Sequence, residues 1–346
     1  MEKLANIIKK TVFSLVLVAL PRAWDVTPAS AQVTFGEITQ EQEGTDAGDE
    51  EARGVTYGVP QITKYRAGII FQAQANSPCN SIVATCPVPM EFPEQKVRIL
   101  EEEFPQRLSA KYRDLKEGGA RQLVVKMSTL RPGQRMEVFT IFEVTRLPAI
   151  APAKTDCYHI PSRTPREFRA YLRDNSFIES GSRNITRLAK ELTEEKANDW
   201  QKVEALFSYI RKNVTYKEAL AEAPMRGALA ALKNKEGDCE DMCALFIAMC
   251  RALDIPARLV RLPGHCYAEF FLEDDKGDGH WFPAQVAGME PLGNMQDTRI
   301  ILQKGDCFHL PEEPKSESLY VKEIFTGKVS PGGKDPKYQF INEVML

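Results

Sequence analysis

The sequence predicts an α+β protein in which a small antiparallel β-sandwich precedes a domain of helices followed by strands. Three observations carry this reading. Period-2 alternation runs through residues 60 to 150, helical periodicity takes over from about residue 160, and alternation returns at residue 257.

Within the first stretch, Gly68-Ile69-Ile70-Phe71 opens one strand. Leu123, Val125 and Met127 alternate along a second, and Met136, Val138, Thr140, Phe142 and Val144 along a third. The Pro132-Gly133 turn between the last two signals a hairpin. Ala149 to Ala153 reads as a short linker. Beyond it, 165–172, 185–192 and 226–233 fit short helices, and Trp200, Val203, Leu206, Phe207 and Ile210 share one face of another. Strands are expected over 257–262, 265–272 and 280–286.

A chain of 346 residues has room for two domains, and 43% hydrophobic with 27% charged residues suits a globular protein. A net charge of −3 offers no cationic field for nucleic acid or an anionic membrane surface. The amino terminus reads as a secretory signal: Lys3, Lys9 and Lys10 precede the apolar run Thr11 to Leu20, and Ala29-Ser30-Ala31 supplies a small-x-small cleavage site. That run is too short for a permanent membrane span. The expected organisation is a signal peptide at 1–31, an acidic flexible linker at 32–58, the β-sandwich at 59–150, a second domain at 156–310 and a C-terminal extension at 311–346. An exported chain with eight cysteines invites disulfides, with Cys79–Cys86 the first candidate and Cys157–Cys307 another.

The chemistry concentrates at Gly237-Asp238-Cys239-Glu240-Asp241. Asp238 is placed to cap a helix, with Asp241 three residues on as the acid of a capping box. Cys239 then lies in the first turn, where unpaired backbone N–H groups and the helix dipole favour thiolate and offer part of an oxyanion hole. Cys243 and Cys250 lie deeper among apolar neighbours and read as buried, inert thiols. Zinc fits poorly, because three and six residues separate these cysteines and no Cys-x-x-Cys pair is present.

A thiol nucleophile needs a base, and the base an orienting group. His265 opens a strand after Pro263-Gly264, with Tyr267, Glu269 and Phe271 on its face and Cys266, Ala268 and Phe270 on the other. His159, His280 and His309 have no comparable setting. A polar turn at 274–279 folds the next strand back, bringing Gln285 opposite about Tyr267 or Ala268. From there its carbonyl is expected to accept the Nδ1–H of His265.

Residues 160–290 resemble the bacterial transglutaminase-like family of papain-like cysteine enzymes. The carriers are Gly237-Asp238-Cys239, the run Cys250 through Val260 containing Ile255-Pro256-Ala257-Arg258, the strand from His265-Cys266-Tyr267, and Trp281 through Gln285. The resemblance implies a Cys-His-Asp triad, carried over as Cys239, His265 and the acid's position. Here that position, four residues after Trp281, is Gln285. An amide can fix the imidazole tautomer but does not stabilise an imidazolium as a carboxylate does.

The expected function is therefore an exported thiol enzyme acting on amide bonds of a protein or peptide substrate. It would need no cofactor or metal, bind no nucleic acid and keep no membrane span after signal cleavage. The alternative is a binding or envelope-organising protein that keeps the fold without catalysis. Substrate, acyl acceptor and oligomeric state are not encoded in these motifs.

Overall fold

The structure, a computed structural model, describes residues 53–221 and 223–345. The expected signal peptide, its expected cleavage site and most of the acidic stretch lie outside the described residues. The end of that stretch is ordered: Thr56–Tyr57 pairs with Ala149–Ile150, and Gly54 N donates to Tyr158 Oη at 2.7 Å.

Six strands come first: β1 (Gln61–Gln72), β2 (Cys79–Val88), β3 (Gln95–Glu103), β4 (Ser109–Asp114), β5 (Arg121–Leu130) and β6 (Arg135–Arg146). The chain then forms helices α1 (Arg183–Thr193), α2 (Asp199–Asn213), α3 (Ala228–Asn234) and α4 (Cys239–Arg251). Strands β7 (Ala257–Leu262), β8 (His265–Asp274), β9 (Gly279–Ala284) and β10 (Gln303–Lys304) follow, and β11 (Ile324–Val329) and β12 (Lys337–Met345) close the chain. Residues 165–172, expected as a helix, form a 3₁₀ turn over Arg166–Leu172.

The sandwich consists of two four-stranded sheets, β11-β2-β5-β4 and β12-β1-β6-β3, with all pairs antiparallel. Its core is filled by alternate side chains such as Tyr65, Ile69, Phe71, Val125, Val138 and Phe142. Two expectations are corrected here. The Pro132-Gly133 turn does not close a hairpin: β5 pairs with β2 and β4, while β6 pairs with β1 and β3, so the turn arches between sheets. Alternation reports one buried face per strand and is silent on which neighbour accepts its backbone hydrogen bonds. The C-terminal extension is also part of the sandwich, since β11 and β12 each supply an edge strand.

All eight cysteines are free. Cys79 and Cys86 occupy the same strand, β2, seven residues apart. At about 3.3 Å per residue their Cα atoms are roughly 23 Å apart, far beyond disulfide reach. Sequence proximity favours pairing only across a turn, and no turn intervenes.

In the second domain α4 packs against the sheet β9-β8-β7-β10, which Tyr158–His159 extends by pairing with β8. Every residue of α4 except Glu240 is buried, so this helix is the axis of the core. Arg251, at its end, has a fully buried side chain. It donates to Asp306 Oδ2 at 2.7 Å and to the carbonyls of Ala257 and Arg173. The sandwich in turn braces the segment beside β8. Gln95 exchanges two hydrogen bonds with the backbone of Ile301, and buried Arg146 donates to Arg299 O and Glu94 O. Lys304 bridges Glu269 of β8 and Glu94 of the sandwich, each at 2.5 Å.

Burial pushes the Cys86, Cys243 and Cys250 thiols above the usual range; at Cys266 contact with the Cys239 thiol pulls down, but contact with Cys243 and burial outweigh it. The folded state therefore keeps protons that the unfolded chain releases near pH ~8.5. Stability from these groups is complete below that pH and should fall above it, by up to about 1.4 kcal/mol per pH unit per thiol. Unfolding midpoints measured from neutral to strongly alkaline pH test this; a flat profile would refute it.

Candidate active site

The candidate nucleophile stands where the cap places it. Asp238 Oδ1 accepts the Asp241 N–H at 2.9 Å, which starts α4 and leaves Cys239 as its first residue. The capping box is only half made. Buried Asp241 turns away and accepts from Arg226 N, Gly227 N and Arg226 Nε at 2.8, 3.0 and 2.8 Å, anchoring the approach to α3. Cys239 is 7% exposed, enough to reach solvent at the mouth of the core.

The base is set by a tight hairpin. Leu262 pairs with His265, leaving Pro263-Gly264 as the two-residue turn, and Gly264 has φ +67°, a conformation that favours glycine. The β8–β9 register pairs Ala268 with Ala284, so Gln285 follows directly, next in line opposite Tyr267. Buried Gln285 meets the His265 ring: Oε1 lies 3.2 Å and Nε2 2.9 Å from the imidazole Nε2. Gly288 makes room for this amide, since a Cβ there would lie 2.3 Å from Gln285 Cγ.

The ring nitrogen facing Gln285 is thus Nε2, where Nδ1 was expected. A strand offset by two residues shows that two side chains are in reach but not which edge of a ring is offered. With Nε2 on the amide, Nδ1 remains for the thiol of Cys239, which is in contact with His265. A base at Nδ1 must be unprotonated, so Nε2 carries the hydrogen and the Gln285 carbonyl must accept it. Amide oxygen and nitrogen exchange by a half-turn, and only the carbonyl-in orientation serves this chemistry.

The neighbour that governs the thiol is not evident from motif spacing. Cys266 lies on the α4 side of β8, touching Cys239, and Cys243 Sγ donates to Cys266 O at 3.7 Å. Contact with Cys266, together with burial, pushes the Cys239 thiol above its usual range, while His265 draws it down. Against the expectation that the helix terminus favours thiolate, contact with Cys266 and burial outweigh it and favour the neutral thiol. The alternation places Cys266 on the core face, and that is the one signal for this cluster.

The other histidines lie elsewhere and pair with carboxylates: His159 with Asp275 at 2.9 Å, His280 with Asp274 at 3.1 Å and His309 with Glu117 at 2.9 Å. Among the described residues no group of three or more His, Cys, Asp or Glu side chains is placed to hold a metal ion. No described helix is long and apolar enough to cross a membrane.

Residues 186–286 match the family model of the Transglutaminase-like superfamily, a segment containing Cys239, His265 and Gln285. The chain carries a transglutaminase-like domain with a papain-like fold, preceded by a β-sandwich. No curated protein gives a significant match. A crystal structure of a candidate cysteine protease from Cytophaga hutchinsonii superposes with a TM-score of 0.54 at 17% identity, covering 84% of this chain and 93% of that one. At that identity the likeness concerns the fold. A candidate protease from Parabacteroides distasonis is similar over 62% of this chain and 42% of its own, with 14% identity and a TM-score of 0.28, too low to carry an argument.

Proposed function

We propose that this chain is an exported cysteine enzyme that cleaves or transfers amide bonds of peptides or proteins through a thioester. The observation that carries the reading is the line of contacts Cys239–His265–Gln285 at the first turn of α4. In the reaction, His265 Nδ1 takes the thiol proton as Sγ attacks the amide carbon. The Cys239 N–H, unpaired in the first turn, donates to the developing oxyanion. Collapse passes the proton from His265 to the leaving amine and forms the thioester. Water or a second amine, deprotonated by His265, then releases the acyl group and restores the thiol. Hydrolysis is the favoured outcome, because water is always present as an acceptor. Cys239→Ala should abolish product formation in a peptide-pool digest read by mass spectrometry, without shifting the unfolding midpoint by more than a few degrees; retained activity refutes the assignment.

Export rests on the amino-terminal pattern of basic, apolar and small residues. Protein recovered outside the cytoplasm should begin near Gln32, and intact Met1 on cytoplasmic material would contradict it.

A non-catalytic binding role is the competing reading, favoured by Gln285 in place of a carboxylate. The Gln285 variants separate the two. Gln285→Ala should lower turnover roughly 10- to 100-fold while costing only about 0.5–1.5 kcal/mol of stability, the net value of a neutral hydrogen bond. Gln285→Asp should preserve or raise turnover, since a carboxylate also favours the imidazolium formed during attack. Wild-type inactivity with activity gained in Gln285→Asp would instead support the binding protein.

A further inference from the structure

A recess of about 1,010 Å³ opens beside the nucleophile, with Glu240 and Gly264, the chain neighbours of Cys239 and His265, on its wall. Tyr65 and Asn342 of the sandwich also line it. Most ionic groups around it are already engaged. Lys322 pairs with Glu313 at 2.9 Å, Glu317 with Arg173 at 3.4 Å, and Glu323 accepts from Asn342 Nδ2.

Two groups are not. Arg261, half-buried on β7, lies over the Tyr320 ring at 4.8 Å and donates from Nη1 to Val321 O at 3.3 Å, yet no carboxylate among the described residues is within ion-pair distance. The buried Tyr320 hydroxyl makes no close hydrogen bond among the described residues; the Glu240 carboxyl interacts with it and with Arg261 at longer range. A guanidinium without a close ion pair and a hydroxyl without a close acceptor leave donors on this wall that a ligand carboxylate can engage more closely than Glu240 does.

We propose that Arg261 and Tyr320 form a carboxylate-binding subsite, so that the preferred peptide carries an anionic group close to the amide bond that Cys239 attacks. The planar guanidinium supplies a fork of donors and the phenol a further one, a set suited to a carboxylate. Burial pushes the Glu240 carboxyl above the usual carboxylate range, which weakens its repulsion of an incoming anion. The carboxylate comes either from an acidic side chain or from a free chain terminus. The proposal deepens the amide-bond reading and rests on it for the position of the scissile bond.

Binding to the full-length Cys239→Ala variant tests the subsite without turnover. The probes are acetylated heptapeptides of alanine and serine, with a single Glu, Gln or Lys placed at each position in turn and the C-terminus amidated. A further peptide without Glu has a free C-terminal carboxylate. Calorimetry should find one Glu peptide, or the free acid, bound about 10- to 100-fold more tightly than its neutral counterpart. Glu preference identifies the side-chain source and free-acid preference the terminus. Arg261→Gln should abolish the preference, and Tyr320→Phe should reduce it several-fold. Should Arg261→Gln fail to fold, Arg261→Lys and Tyr320→Phe carry the comparison. Equal binding of all peptides, preference for Lys, absence of binding, or a preference unchanged in the variants would overturn the proposal. A carboxylate preference in a protein whose wild type lacks amide-bond activity would refute the enzymatic reading and leave the subsite standing.

Discussion

His265→Ala should slow amide-bond turnover by roughly 10²- to 10⁴-fold, the usual contribution of a positioned general base. The loss is expected to be this large because His265 is the base in contact with Cys239, whereas Arg299 nearby offers only its charge. Contact with Cys266 and burial both hold the thiol protonated, and His265 is the group that opposes them. Gln285 also occupies the imidazole at Nε2, which leaves Nδ1 as the nitrogen open to the thiol. The half-buried ring contributes little to the core, so unfolding midpoints of variant and wild type should agree within a few degrees. Free imidazole in the assay should restore part of the rate. Turnover close to that of wild type would remove His265 from the mechanism.

Asp306→Ala should destabilise the protein by about 3–5 kcal/mol, the cost of stranding a buried charge. The Arg251 and Asp306 side chains are both fully buried, and Asp306 also accepts from Leu259 N at 3.2 Å. Removing the carboxylate leaves the guanidinium in the core with only carbonyls of Ala257 and Arg173 as partners. Because this cluster ties the end of α4 to β7, its loss should loosen the helix that presents Cys239. Chemical denaturation gives the value; a change below about 1 kcal/mol would show that water or rearrangement compensates the arginine.

Much of the candidate site was legible because local rules decide it. Asp238 caps a helix whose apolar residues follow directly in sequence, Pro263-Gly264 turns a strand, and counting across the turn at 274–279 sets Gln285 against the histidine strand. These features depend on residues close in sequence. What stayed hidden depends on partners far away. The arch at Pro132-Gly133 and the sheet membership of β5 and β6 are set by strands that arrive from elsewhere in the chain. Strand β12 is mostly exposed, with only Ile341 buried, so the alternation that marks a half-buried strand is nearly absent.

The polar interior was hidden for a similar reason. Glu269 reads as an ordinary member of an alternating strand, yet Lys304 and Arg258 outweigh its burial and hold its carboxyl below the usual range. Lys304 comes from a two-residue strand with no pattern of its own. Tyr320 belongs to a segment whose residues show neither helical nor alternating periodicity, so it reads as an extension. Cysteine pairing failed on geometry, since residues 79 and 86 are near in sequence but extended along one strand.

Site-resolved alkylation of the eight cysteines by iodoacetamide in folded protein decides whether Cys239 is the thiol that His265 activates. Cys157, half-exposed and next to the short strand Tyr158–His159, serves as the internal reference, while the remaining thiols are buried. Modification is expected at Cys157 and Cys239 only, with a Cys239 rate that rises with pH and a fall of about tenfold or more at Cys239 alone in His265→Ala. Reaction at Cys243 or Cys266 ahead of Cys239, or a Cys239 rate indifferent to His265, would contradict it.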